Sequence, residues 1–343
     1  MVIGIYDSIR DNYLTAGKWL TRRCNISETY AVIDFHTHLP YRYREPSEAA
    51  GRLLKEMDKA SVSKAIVIAV EAGVETFKKN IKPREVKKAI GEVMDFVSLS
   101  RIPMLNRLVF DVEAGIEDHV SLIEEHRRPT GEVVEAARYS NGRLLPVASY
   151  CPDKGVDGTI EENLKPFKDD IIGVKIYPTL HFIQPNDSKL DKIYKYIENI
   201  QGIVVVHTGC DPGMWELPRL CRLARPKYVM EAAKKHKDLV FIIAHMGAYS
   251  ALMPGIFFHE ALEALQLDNV YADTSAVDPF FVSRAIEEVG SDKILFGSDY
   301  PYMIGFTIKD SVNEILGLDI NERDKRAILY DNSYRLLKII GRL

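Results

Sequence analysis

Five stretches of this 343-residue chain set a metal-ligating or acid–base side chain at the end of a short apolar run. They are Asp34-Phe35-His36-Thr37-His38, Lys175, His207, His245 ahead of Met246-Gly247, and Asp299 within Ser298-Asp299-Tyr300-Pro301. Four of the nine histidines fall in these few places, far more than an even spread would put there. His36 and His38 are one residue apart, so in extended backbone both imidazoles face the same way and can chelate one ion. A lone H-x-H pair is weak evidence, because solvated or core histidines give the same pattern. His207 and Asp299 strengthen it, since a catalytic zinc takes three or four N and O ligands and leaves a position for water. Each residue has a bland alternative: Asp299 suits a helix N-cap, and His245 a buried imidazole bonded to a carbonyl. Together those alternatives demand a coincidence at every run.

Lys175 lies between Val174 and Ile176, so its side chain faces the opposite way from two apolar neighbours. A buried ammonium needs a partner. Pairing with Asp299 or Asp34, contact with a substrate carboxylate, or carbamylation to bridge two metals would each provide one, and charge pairing or substrate contact is favoured. Arg42 and Arg44 follow the H-x-H closely enough to grip an anionic substrate, though both also suit a solvated loop. Cys210, three residues after His207, lacks an obvious activating base and reads as a turn residue in Gly-Cys-Asp-Pro-Gly. No G-x-S-x-G elbow, P-loop or G-x-G-x-x-G fingerprint occurs.

These residues need a scaffold that brings distant strand ends together. Eight apolar runs recur: Ala31 to Phe35, Lys64 to Val70, Arg143 to Ser149, Ile171 to Tyr177, Gly202 to Val206, Leu239 to Ala244, Asn269 to Thr274 and Lys293 to Gly297. Most are continuous rather than alternating in hydrophobicity, which marks strands covered on both faces. Helical patterns separate them, at Lys189 to Ile200, Lys227 to Lys237, His259 to Leu267 and Phe280 to Val289. Eight strand–helix units predict an α/β fold, a (β/α)8 TIM barrel in one domain, with active groups at the strand ends. A doubly wound open sheet is the rival. The surplus length falls in an N-terminal extension, residues 1–29, with a helix expected over Ser8 to Arg22. The rest is a helical insertion after strand two, residues 71–141.

Composition narrows the partners. The net charge of −4 lacks the basic excess of a nucleic-acid binder. No run approaches the ~18 apolar residues that cross a membrane, and no signal peptide is evident at Met1 to Arg10. Cys24, Cys151, Cys210 and Cys221 form no C-x-x-C pair, so reduced thiols in a cytoplasmic protein are expected. The insertion is expected to form either a lid above the barrel or an oligomer contact, and the extension offers a further surface for a homodimer.

Val32-Ile33-Asp34-Phe35-His36-Thr37-His38, Gly173-Val174-Lys175-Ile176, Val206-His207-Thr208-Gly209, Ile243-Ala244-His245-Met246-Gly247 and Ile294-Leu295-Phe296-Gly297-Ser298-Asp299-Tyr300-Pro301 form an ordered set. It resembles the amidohydrolase-related family of metal-dependent TIM barrels, in the branch containing aminocarboxymuconate semialdehyde decarboxylase and several lactonases. Asn332 to Leu337 resembles that family's closing helix. The resemblance implies that His36, His38, His207 and Asp299 hold one metal, usually zinc, with His245 beside it. In two-metal relatives His245 and His207 share a second ion, and a carbamylated lysine, here Lys175, bridges the pair. The long insertion and the Cys210-Asp211-Pro212-Gly213 loop depart from the common pattern, so the substrate does not carry over.

The leading expectation is hydrolysis of an amide, ester or lactone by metal-activated water, with Asp299 and His245 as the acid–base groups. The alternative keeps the site but removes carbon dioxide from an unsaturated or aromatic acid held by Arg42, Arg44 or Lys175. A third possibility is a barrel that binds metal and small molecules without turnover.

Overall fold

A computed structural model describes residues 31–81, 126–210, 216, 218–250, 253–303 and 305–343. All eight apolar runs become strands: β1 (Val32–Thr37), β2 (Val62–Ile68), β3 (Leu144–Ser149), β4 (Gly173–Ile176), β5 (Ile203–His207), β6 (Val240–Ala244), β7 (Val270–Asp273) and β8 (Ile294–Leu295). They pair in sequence order, each parallel to the next. The first and last strands also meet. Phe35 N–H donates to Phe296 O at 2.7 Å, His38 N–H to Tyr300 O at 2.7 Å, and Asp299 N–H to His36 O at 2.9 Å. That seam makes a (β/α)8 barrel and rules out the open doubly wound sheet, whose edge strands never join.

Side-chain alternation gives the barrel its two layers. Val174, Ile176, Val204, Val206 and Ile243 pack outward with the helices, while Ile66, Ile68, Val147, Ile203, Val205 and Ile242 form a second cluster. Lys175 has the opposite parity to Val174 and Ile176 and is fully buried, as its position between them predicts. The covering helices bury residues at spacings of three and four. Asp191–Asn199 buries Ile193, Tyr194 and Ile197, and Pro226–Lys235 buries Val229, Ala232 and Ala233. Proline at the first position starts the helices Pro46–Lys59, Pro226–Lys235 and Pro279–Val289, where its missing N–H costs nothing.

The predicted Ser8 to Arg22 helix and most of the 71–141 insertion, with their proposed dimer surfaces, lie outside the described residues. Of the insertion, helices Val74–Asn80 and Thr130–Arg138 are described. The second packs on β3 and supplies the β2–β3 crossover. Among the described residues, no helix is long and apolar enough to cross a membrane.

The expectation of reduced thiols is corrected at one pair. Cys210, just past β5, and Cys221, ending the helix Pro218–Cys221, form a disulfide with Cα atoms 5.2 Å apart. Their 11-residue separation matches no motif, so the pairing carries no signal in the sequence. Cys210 is therefore not a free nucleophile. Cys151 is buried and free.

Candidate metal centre

The seam between β1 and β8 assembles the polar centre. His36 Nε2 and His38 Nε2 lie 3.5 and 3.4 Å from the same oxygen, Asp299 Oδ1. All three residues are buried. Gly297 permits this approach, because a Cβ there would stand 2.8 Å from His36 Cβ and 3.0 Å from Ser275 Cβ. Asp299 and His245 both adopt left-handed backbone, with φ of 54° and 60°. Strain of this kind, about 1–3 kcal/mol at a non-glycine residue, persists where surrounding structure fixes it.

The partners of the other ring nitrogens define which atoms face inward. His36 Nδ1 lies 2.7 Å from Asp273 Oδ2, and His38 Nδ1 lies 3.0 Å from the Ile68 carbonyl. Both Nδ1 positions therefore carry the proton when the rings are neutral, and both Nε2 lone pairs turn toward Asp299. His245 follows the same rule, with Nδ1 2.9 Å from the Ser275 carbonyl. Two lone pairs and a carboxylate oxygen facing one another are a set of acceptors that calls for a cation. This is the donor chemistry of a divalent metal site, and the residues fit one.

The cation placed against this set is the Lys175 ammonium, 3.3 Å from His36 Nε2. Burial lowers the Lys175 pKa to about 8, opposed by the charges of Asp273 and Asp299. Burial also drives His36 and His245 well below the usual histidine range; the Lys175 charge adds to this at His36, whereas Asp299 opposes it at His245. For Asp299 burial works upward, yet the close approach of His38 and the neighbouring His245 and His36 rings outweighs it and holds the carboxyl below its ordinary value.

Two donor sets among the described residues are close enough to share one ion: His36, His38 and Asp299, and His36, His245 and Asp273. The second is already committed internally. Asp273 Oδ1 accepts from the backbone N–H groups of His245 at 3.0 Å and Ser275 at 3.1 Å and from the Ser275 hydroxyl, while Oδ2 takes His36. Asp273 is thus the residue that orients the ligands, and the first set is the one free to bind.

His207 is not drawn into that set. Its ring packs 4.8 Å from His245, and its Nε2 lies 3.0 Å from Glu216 Oε1 without hydrogen-bond alignment. Glu216 also accepts from the Thr179 hydroxyl at 2.6 Å. Arg42 and Arg44 stay exposed on the loop after β1, Arg42 over the Tyr41 ring. Rings line the centre: Tyr302 stands 4.8 Å from His38, Tyr249 5.1 Å from His245, and Tyr177 6.1 Å from His207. Sequence reasoning missed Asp273, Glu216 and these tyrosines. Asp273 ends a strand as the chosen residues do and was open to the same logic; the others carry no local signal.

The fold and site define a (β/α)8 barrel with a buried His-His-Asp donor set at its strand ends. Residues 33–339 match the amidohydrolase family, and the chain belongs to it. No curated protein sequence matches significantly. Similar solved structures include 5-carboxyvanillate decarboxylase from Sphingomonas paucimobilis, with TM-score 0.57 and 13% identity over 90% of this chain and 99% of that one. The 2,6-dihydroxybenzoate decarboxylase from Rhizobium has TM-score 0.56 and 16% identity over 91% and 99%. A probable 2-pyrone-4,6-dicarboxylic acid hydrolase from Acinetobacter baumannii has TM-score 0.56 and 13% identity over 90% and 99%. At such identities these likenesses establish the shared fold.

Proposed function

We propose that this protein is a divalent-metal-dependent decarboxylase of an aromatic or unsaturated carboxylic acid. The observation that carries the reading is the fully buried Lys175 ammonium, 3.3 Å from His36 Nε2, in a centre lined by tyrosine rings. A cation beside a metal site attracts a carboxylate, and ring walls favour a flat apolar body. Family membership supports metal-dependent chemistry. Two of the three similar structures named above are decarboxylases of aromatic acids, which supports this reaction over the hydrolysis expected first.

His36, His38 and Asp299 would hold the metal, which supplies Lewis acidity toward the substrate's oxygens when bound. Lys175 holds the carboxylate by charge. His245, with Nδ1 committed to the Ser275 carbonyl, takes a proton from solvent on Nε2. Burial disfavours a standing imidazolium there and the Asp299 charge offsets this only in part, so His245 relays the proton rather than storing it. As the carbon–carbon bond breaks, carbon dioxide leaves and the electron pair remains on the substrate carbon, which takes the proton from His245. Hydrolysis asks instead that Asp299 take a proton from water as a general base.

The protein loaded with zinc or manganese should be offered ortho-hydroxybenzoates alongside lactones and esters in weak buffer. Proton uptake with carbon dioxide release is expected on an aromatic acid. Turnover only of lactones or esters, with proton release, would overturn the reading in favour of hydrolysis, and inactivity on both panels would favour a binding barrel.

A further inference from the structure

Arg128 is a fully buried arginine outside the polar centre. Its backbone pairs both ways with Val70 at 2.9 Å, which pins it beyond the end of β2. Its guanidinium reaches the loop that follows the H-x-H pair. Nη2 donates to the carbonyls of Pro40, at 2.8 Å, and Tyr43, while Nη1 donates to Arg44 O at 3.3 Å and to Glu132 Oε2 at 3.0 Å. Three carbonyls of one five-residue loop thus converge on a single side chain. That loop has little regular structure of its own, so its shape follows from the arginine fork.

The loop carries Tyr41, and the segment before Arg128 carries His126. These two rings lie 4.2 Å apart. Tyr302 completes the group, 6.0 Å from His126 and 6.3 Å from Tyr41, nearly parallel to the latter at 12°. Its hydroxyl donates to the His126 carbonyl at 3.3 Å. All three rings are half-buried, and Tyr302 also touches His38. A wall of rings therefore rises from the metal-donor set to the surface, built from three distant pieces of chain.

We propose that Arg128 is a positioning residue for substrate recognition: it sets the Pro40–Arg44 loop so that Tyr41, His126 and Tyr302 form a wall selective for a flat aromatic ring. This rests on the reading of the substrate as an aromatic acid and adds the residues that discriminate the ring. Arg128 touches no reacting atom and acts through Tyr41.

The test measures binding of benzoate and of cyclohexanecarboxylate, equal in charge but not flat, to the metal-loaded protein by calorimetry. Wild type should prefer benzoate. Arg128→Lys keeps the charge but loses the fork, and Tyr41→Leu removes one ring at a half-buried position that should not imperil folding. Both should weaken benzoate binding about three- to tenfold, the range for one aromatic pair, and leave cyclohexanecarboxylate within about twofold. Chelator competition should show unchanged metal affinity in both. Loss of thermal stability with the benzoate preference intact would make Arg128 merely structural and overturn the proposal. An unchanged preference in Tyr41→Leu would overturn it even if Arg128→Lys failed to fold. Wild type that prefers benzoate without decarboxylating any acid would sink the proposed reaction while leaving the wall standing; a decarboxylase whose preference survives both variants would do the reverse.

Discussion

The backbone N–H of Asp299 donates to the carbonyl of His36 at 2.9 Å, so the bond that closes the barrel also sets the two ligands side by side. Barrel closure and metal binding are thereby coupled. His36→Ala should lose bound metal and turnover together. Asp299→Asn keeps an oxygen but loses the charge, and should retain detectable metal with turnover down at least about a hundredfold. Metal content by elemental analysis beside turnover checks both, and a fully active Asp299→Asn protein would remove its assigned role.

Asp273 orients the His36 ring from 2.7 Å without belonging to the free donor set. Such outer partners are typically worth about ten- to a hundredfold in metal affinity or activity. Asp273→Asn should fall in that range, measured by chelator competition, with the far-ultraviolet circular dichroism unchanged.

Lys175→Met should weaken binding of benzoate to the metal-loaded protein by about tenfold or more, because a charge-assisted hydrogen bond to the carboxylate is lost. Metal content should remain near one ion per chain. A variant that instead loses its metal would indicate that the lysine bridges ions, and the intact mass of wild type would then show a carbamyl group.

Burial, with Asp278 and Asp310 nearby, raises the Glu314 pKa from 4.5 to about 7. Between these values the folded protein holds a proton that the unfolded chain has released. Stability therefore falls as pH climbs from 4.5 to 7, and the cost is fully present above 7. Glu314→Gln should stabilise the protein at pH 8 by about 1–2 kcal/mol, allowing for its partial exposure, and change little at pH 4. Urea melts at the two pH values decide the matter; equal shifts at both would exclude the linkage.

The Cys210–Cys221 disulfide closes a loop across 11 positions. Cys210→Ser should cost about 3 kcal/mol of unfolding free energy if chain entropy governs. Denaturant titration with and without reductant checks this, and reductant should leave the variant unaffected.

Much of this was legible in the sequence. The eight strands were found within a few residues because continuous apolar runs are what a doubly covered parallel strand requires. β8 is shorter than expected, Ile294–Leu295 against Lys293 to Gly297, since the chain past Leu295 is shaped by the turn that delivers Asp299. The spacing of His36 and His38, and the inward parity of Lys175, followed from strand periodicity alone.

The sequence by itself determined the element order, the barrel and the residue types at its strand ends, because hydrophobic period and strand parity are local properties. Tertiary structure alone decided which of those residues meet. It joined His36, His38 and Asp299, set Glu216 against His207, bonded Cys210 to Cys221, and ran Arg128 beneath the Pro40–Arg44 loop. Asp299 lies 263 positions from His36 and Arg128 lies 88 from Pro40, so sheet closure rather than any neighbour in the chain brings them together, while the pairs 9 and 11 positions apart form in chain that has no periodic pattern.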